Sequence, residues 1–68
     1  MKTVADNLKY HRELNHLSQS ALAKATGIPQ TTISAYEKGA NLPNIQNCIT
    51  LADFYEITLD ELVGRDIK

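Results

Sequence analysis

The sequence predicts an all-α fold in which five short helices form a single compact domain over residues 1–68. Apolar residues recur at steps of three and four positions, which is the spacing of one helix face. No segment alternates apolar and polar residues for long enough to indicate a strand. Glycine and proline residues divide the chain into short segments, and a polar residue suited to helix capping opens nearly every segment.

The composition is that of an ordinary globular domain, with 43% hydrophobic and 22% charged residues and a formal net charge of −1. These values exclude a disordered tail. The longest apolar run, Ala21-Leu22-Ala23, is too short for a membrane span or a signal-peptide core. Cys48 is the single cysteine, which excludes an internal disulfide and a cysteine-rich zinc site. We therefore expect a soluble, cytoplasmic protein.

The first helix is predicted to begin at Thr3 and to end near Asn15. Asp6 stands three residues after Thr3, the spacing of a capping box. One face of this helix carries Val4, Leu8 and His11. A histidine on such a face is more often a partly buried residue with a satisfied ring than a metal ligand, and we expect that of His11.

The second and third helices are separated by a few residues only. The second begins after Ser18 as its N-cap and runs to about Thr26. Gly27 follows, at the position where a left-handed residue commonly ends a helix. The third helix begins near Pro29, whose fixed φ suits a first turn, and ends at Lys38.

The fourth helix is predicted to follow Asn44, which caps it. Its inner stripe falls at three- and four-residue steps and comprises Ile45, Cys48, Leu51, Ala52 and Tyr55. Thr58 and Glu61 have capping-box spacing and open a short fifth helix before Gly64. The apolar residues of that helix are Leu59, Leu62 and Val63.

The most informative segment is residues 17–39, where two short helices meet across a tight joint. Helices joined so closely must cross steeply, and a close crossing needs a small residue such as Ala23. The turn needs a positive φ, which Gly27 supplies. Ile33 and Tyr36 are three residues apart and seat the third helix on its neighbour. Together these offsets predict a helix-turn-helix motif.

The outer face of the third helix is then fixed, and it carries Gln30, Thr31, Ser34, Ala35 and Lys38. Amide, hydroxyl and methyl groups at the start of a helix match the donors, acceptors and thymine methyls of a DNA major groove. The alternative is a plain solvent-exposed face. Such a face usually carries Glu and Lys in helix-stabilising pairs, whereas Thr and Ser are poor helix formers. The pattern favours DNA recognition.

Charge is distributed unevenly along the chain. Residues 1–40 carry five Lys and Arg against three Asp and Glu, and residues 41–68 carry two against five. A polyanion should therefore bind the first forty residues, with modest affinity. Because one subunit reads only a few base pairs, useful affinity needs two subunits on a two-fold symmetric site. Candidate dimer contacts are Ile49, Phe54, Leu59, Val63 and Ile67.

Nearly the whole chain resembles the phage-repressor-like family, which is the Cro and lambda-repressor type, also called the XRE family. The matching motifs are Lys9-x-x-Arg12, Leu17-Ser18-Gln19, Leu22-Ala23, Gly27, Ile33-Ser34, Glu37-x-Gly39, Pro43, Leu51-Ala52 and Leu59-Asp60-Glu61-Leu62. The resemblance implies a compact five-helix lambda-repressor-like domain with its helix-turn-helix at the second and third helices. It also implies a sequence-specific regulator, a small repressor that binds palindromic double-stranded DNA as a homodimer.

The resemblance assigns roles to individual residues. Those that would read bases are Gln30, Thr31, Ser34 and Ala35. Those that would contact phosphates are Gln19, Lys38, Asn41 and Asn44. Gln19 would also brace Gln30, and a partly buried ion pair of Arg12 with Glu37 would tie the first helix to the third. The chain departs from the family pattern at His11 and Thr26, where apolar residues are usual.

Two other classes of function compete with this one. An antitoxin-like or adaptor module that keeps the fold and binds a protein partner would agree with the acidic second half. An enzyme is disfavoured, because Cys48 lies on an inner helix stripe and is expected to be an inert core thiol. His11 and His16 are five residues apart and so not on one helix face, which disfavours a metal site. We expect no cofactor.

Overall fold

The computed structural model describes residues 3–65, which form five α-helices and no strand. The helices are α1 (Val4–Leu14), α2 (Gln19–Thr26), α3 (Gln30–Glu37), α4 (Ile45–Tyr55) and α5 (Leu59–Val63). The predicted N-caps Thr3, Ser18, Asn44 and Thr58 all lie directly before their helices. The all-α prediction and the order of its five helices are confirmed.

Reciprocal side-chain caps begin the first and last helices. The Thr3 hydroxyl accepts from the Asp6 backbone N–H at 3.1 Å, and the Asp6 carboxylate accepts from the Thr3 N–H at 3.1 Å. Thr58 and Glu61 repeat the arrangement at 3.0 Å in both directions. Each pair satisfies N–H groups that a helix start leaves without partners, which explains why both boundaries were predictable from local sequence.

Gly27 and Gly64 end α2 and α5 in the left-handed conformation, with φ of 79° and 82°. At Gly64 there is a second requirement, because a Cβ there would collide with the side chain of Asn7. The Asn7 amide donates to the Thr3 carbonyl at 2.9 Å and to the Val63 carbonyl at 3.4 Å. The close approach of α1 to the end of α5 thus depends on glycine.

One hydrophobic core joins all five helices. Its buried members are Leu8, Leu22, Ile28, Ile33, Tyr36, Cys48, Leu51, Ala52 and Leu62. Leu62 is fully buried although α5 is the shortest helix, so α5 closes the core. Burial also raises the pKa of the Cys48 thiol, because the core disfavours the thiolate. This is the environment of an inert core cysteine.

Ile45, which was predicted to lie on the inner stripe of the fourth helix, is exposed instead. It lies 66% exposed, whereas Cys48 three residues later is buried. Leu59, one of the candidate dimer contacts, is also exposed, and both residues are the first of their helices. Because helical side chains lean toward the helix N-terminus, those of the first turn project beyond the neighbouring helices. The three- and four-residue spacing therefore identifies the inner face of the helix, but the apolar stripe continues beyond the part of the helix that the core covers.

Both departures from the family pattern are satisfied by hydrogen bonds. The His11 Nε2 lies 2.9 Å from the Glu61 carbonyl oxygen, and its ring packs near those of Tyr10 and Tyr55. The Thr26 hydroxyl donates to the Leu22 carbonyl at 2.8 Å. His11 is therefore the partly buried, satisfied residue that the sequence predicted.

None of the helices within residues 3–65 has the length and apolar character needed to cross a membrane. Within the same range, no three His, Cys, Asp or Glu side chains gather closely enough to hold a metal ion.

Candidate nucleic-acid interface

Helices α2 and α3 meet across residues 27–29 in the predicted helix-turn-helix. The Gly27 N–H donates to the Ala23 carbonyl at 2.8 Å, which closes α2. The Pro29 carbonyl accepts from the Ile33 N–H at 3.1 Å and begins the hydrogen-bond ladder of α3. The side chains of Ile28, Ile33 and Tyr36 are buried, so α3 is seated on the core through one face.

The side chains on the opposite face of α3 make no hydrogen bond within residues 3–65. Gln30 and Thr31 are exposed at its first turn, and Ser34 lies half-buried one turn later. None of these three side chains makes a hydrogen bond to any residue from 3 to 65. Ala35 is half-buried and Lys38, the C-cap, is exposed. The predicted base-reading residues therefore share one accessible, polar helix face.

Exposed polar groups also lie around the start of α4. Asn41 and Asn44 are both exposed. The Asn44 Oδ1 accepts from the Asn47 N–H at 2.7 Å and so caps α4, while the two N–H groups of the Asn44 amide have no partner among residues 3–65. A helix N-terminus with an exposed amide donor suits a phosphate oxygen.

A partly buried ion pair anchors the C-terminal end of α3 to α1. The Arg12 Nε donates to Glu37 Oε2 at 2.7 Å and Nη2 donates to Oε1 at 2.9 Å, which is a bidentate pair. The Arg12 Nη1 donates to the Leu17 carbonyl at 2.7 Å. The side chains are only 12% and 6% exposed. The predicted tie between the first and third helices is present.

This pair shifts both ionisation equilibria toward the charged forms. The hydrogen bond to Glu37 raises the pKa of Arg12 above its ordinary value, despite partial burial. Burial alone would raise the pKa of Glu37. The hydrogen bonds that its carboxylate accepts from Arg12 and Gln19, together with the Arg12 charge, outweigh burial and lower that pKa instead.

Gln19 has a different partner from the one the family resemblance implied. Its Nε2 donates to Glu37 Oε1 at 3.1 Å, and no hydrogen bond joins it to Gln30 within the described chain. The prediction that Gln19 braces Gln30 is thus not met in this structure. The physical reason is that an ionised carboxylate only accepts hydrogen bonds and attracts the amide nitrogen strongly.

One polar contact behind α3 was not predicted from the sequence. The Asn47 Nδ2 donates to the Tyr36 hydroxyl at 2.8 Å and links α3 to α4. By contrast, the buried hydroxyl of Tyr55, at the other end of α4, has no hydrogen-bond partner within residues 3–65. Burial raises the pKa of Tyr55 to about 12. No sequence signal distinguishes these two tyrosines, since both occupy inward positions of amphipathic helices.

A model of the helix-turn-helix family matches residues 8–62 of this chain, and the match includes α2, α3 and α4 in full. The chain belongs to the helix-turn-helix family. Its members are DNA-binding transcriptional regulators and not enzymes, which agrees with the prediction from the sequence.

Curated relatives extend this assignment. The helix-turn-helix chain is 36% identical over 62 residues to the cryptic phage CTXphi transcriptional repressor RstR of Vibrio cholerae, covering 91% of this chain and 55% of the relative. It is 35% identical over 57 residues to the HTH-type transcriptional regulator MJ0272 of Methanocaldococcus jannaschii, covering 84% of this chain and 86% of that one. The chain thus spans about half the length of RstR.

A solved structure confirms the fold. The P22 c2 repressor, crystallised with a synthetic operator, superposes with a TM-score of 0.86 over 97% of this chain and 100% of that one, at 24% sequence identity. The likeness establishes the lambda-repressor-like arrangement of the five helices.

Proposed function

We propose that the chain is a sequence-specific double-stranded DNA-binding repressor that inserts α3 into the major groove. One observation carries this proposal: the outer face of α3 presents amide and hydroxyl groups that have no partner among residues 3–65, while its inner face is fixed to the core. A groove-reading helix needs both features, because base contacts depend on available donors and acceptors and on accurate placement of the side chains.

The first turn of α3 holds the strongest candidates for base reading. Gln30 can pair with N6 and N7 of adenine at once, and Thr31 and Ser34 can donate to or accept from either kind of base pair. Ala35 offers a methyl group to a thymine methyl. The exposed Gln30 and Thr31 lie at the helix N-terminus, which is the part of a recognition helix that reaches the base edges.

Phosphate contacts are proposed on both sides of α3. Gln19 lies at the start of α2, and Asn44 precedes α4 with an exposed side-chain NH2 group. Lys38 and Asn41 are exposed between α3 and α4. Backbone contacts at both flanks would set the register of α3 on the duplex without adding sequence preference.

The repressor role and the dimer are part of the proposal. RstR, the Vibrio cholerae relative, is named a transcriptional repressor. Among the candidate dimer contacts, Ile49, Phe54 and Leu59 are exposed and Val63 is half-buried, while Ile67 lies outside the described residues. Two copies joined through these residues would read a palindromic operator. We expect the protein to bind this DNA in the cytoplasm.

A second candidate function is binding to a protein partner, as an antitoxin-like or adaptor module. The exposed apolar side chains of Leu42, 80% exposed, and Ile45, 66% exposed, support it. They lie at the start of the acidic half of the chain. Copurification of a stoichiometric protein, without a mobility shift of any duplex, would favour this function over DNA binding.

Selection of binding sites from random duplex DNA tests the main proposal. We expect an enriched, two-fold symmetric motif whose half-sites lie about one helical turn apart. The molar mass in solution, measured by light scattering with and without a selected duplex, reports the dimer. Failure to enrich any motif at low salt would contradict sequence-specific binding.

A further inference from the structure

We propose that Tyr36 and Asn47 are positioning residues for DNA binding: their hydrogen bond holds the first turn of α4, and Asn44 with it, at a fixed place beside α3. Tyr36 is buried, and the half-buried Asn47 directs its side-chain amide to the Tyr36 hydroxyl, so neither residue is among the proposed DNA contacts. The inference rests on the proposed DNA-binding function, in which α3 reads bases and Asn44 contacts a phosphate.

Asn47 connects the two elements through two separate groups. Its side-chain Nδ2 donates to the Tyr36 hydroxyl of α3 at 2.8 Å. Its backbone N–H donates to the Asn44 Oδ1 at 2.7 Å, and the Asn44 carbonyl accepts from the Cys48 N–H at 3.0 Å. A displacement of Asn47 therefore displaces the cap residue that carries the proposed phosphate contact.

Core packing holds the first turn of α4 through the buried Cys48, and one polar contact adds a direct link to α3. Within residues 3–65, the hydrogen bond from Asn47 is the only one that joins these two helices. The connecting segment 38–44 is mostly exposed, and the backbone N–H groups of Gly39 and Ala40 return to α3 rather than reach α4. Exposed connections of this kind are mobile unless tertiary contacts hold them.

Two substitutions remove this hydrogen bond, and a third removes the phosphate contact that it is proposed to position. Tyr36→Phe removes the acceptor and keeps the buried ring, and Asn47→Ala removes the donor while keeping the backbone cap and favouring the helix. Asn44→Asp keeps the capping oxygen but replaces the amide donors with a negative charge. Tyr55→Phe is the matched control, because it removes a buried hydroxyl that has no partner within residues 3–65.

Affinity for a selected duplex should fall about fivefold in both Tyr36→Phe and Asn47→Ala, the equivalent of one hydrogen bond. The loss should be the same on a duplex with altered bases, because Asn44 is proposed to bind a phosphate rather than a base. In the Asn44→Asp background, Tyr36→Phe should cause no further loss. Tyr55→Phe should leave affinity unchanged.

Amide hydrogen exchange provides a readout without DNA. The N–H groups of Asn47 and Cys48 should exchange faster in Tyr36→Phe than in Tyr55→Phe. Equal exchange in the two variants, unchanged affinity in Tyr36→Phe, or a further loss in the Asn44→Asp background would each overturn the positioning role. Failure of the unaltered chain to bind any duplex would instead contradict the proposed function, and the exchange rates would still decide whether the hydrogen bond holds α4.

Discussion

The two faces of α3 differ in whether their polar side chains are hydrogen-bonded within the described chain. Behind the helix, Glu37 accepts from Arg12 and Gln19, and the Tyr36 hydroxyl accepts from Asn47. On the outer face, Gln30, Thr31 and Ser34 have no partner within the described chain. The same helix is thus tied to α1, α2 and α4 on one side, and its side chains on the other remain available to a partner.

Because of this difference, we expect the inner face of α3 to determine the stability of the fold and the outer face to determine DNA recognition. Substitutions behind α3 should lower the free energy of unfolding and affect DNA only through the placement of the helix. Substitutions on the outer face should leave unfolding unchanged and alter DNA binding directly. Both effects can be measured, and we expect the largest loss of stability when the ion pair of Arg12 with Glu37 is broken.

The largest expected effect comes from Arg12→Met. Removal of the guanidinium leaves the partly buried Glu37 carboxylate without its cationic partner, which should lower the free energy of unfolding by about 3 kcal/mol. Urea denaturation followed by circular dichroism measures it. Arg65→Met is the matched control, because Arg65 is 74% exposed and lies 4.0 Å from Asp60, so its removal should change stability by less than about 0.5 kcal/mol. Similar losses in the two variants would contradict a special role for the buried pair.

The opposite behaviour is expected of Gln30→Ala. Stability should stay constant, while binding to the selected site weakens by about 1–3 kcal/mol and the preference at one base pair relaxes. Competition binding against single-base variants of the site measures both quantities. An equal loss on every duplex would show that Gln30 is not a base reader.

Lys38→Ala is the comparison for Gln30→Ala on the same side of the molecule. A phosphate contact should weaken all duplexes alike and reduce the slope of log affinity against log salt by about one. A change in base preference would place Lys38 among the base-reading residues instead.

Acid should weaken the inner face while leaving the outer face chemically unchanged. The pKa of Glu37 is lowered below its ordinary value of 4.5 because Arg12 and Gln19 donate to the carboxylate. A group with a depressed folded pKa contributes its full stabilisation above the unfolded pKa and loses it as the pH falls through the folded value. The difference in unfolding free energy between the unaltered chain and Glu37→Gln should therefore shrink below pH 4.5. A difference that stays constant into acid would contradict the lowered pKa.

Local features of the sequence predicted the helices. The contacts that the sequence did not predict join residues that lie far apart in the chain. The capping boxes at Thr3 and Thr58 involve partners three residues away, so their boundaries could be read directly. The ion pair of Arg12 with Glu37 was implied only by family resemblance. Contacts such as Gln19 with Glu37 depend on how α2 crosses α3, which no local pattern encodes.

Exposure at helix ends was the other weakness of the sequence prediction. Periodicity placed Ile45 on the same stripe as Cys48, yet only Cys48 is buried. Whether a stripe residue is covered depends on where neighbouring helices end, and that is a property of the packed bundle. For the same reason the outer face of α3 was predictable, because Ile33 and Tyr36 in its middle fix the inner direction.

The smallest change in stability is expected at Tyr55. It tests whether a buried hydroxyl stabilises the fold only when it is hydrogen-bonded. Its hydroxyl is buried without a hydrogen bond to residues 3–65, so it has been removed from water with nothing gained in return. Tyr55→Phe should therefore be neutral or stabilise the fold by up to about 0.5 kcal/mol, whereas Tyr36→Phe should lower stability by about 1 kcal/mol. Thermal unfolding of both variants, side by side, measures the difference. If both lose equal stability, the Tyr55 hydroxyl must be hydrogen-bonded in solution, and the contrast between the two tyrosines would fail.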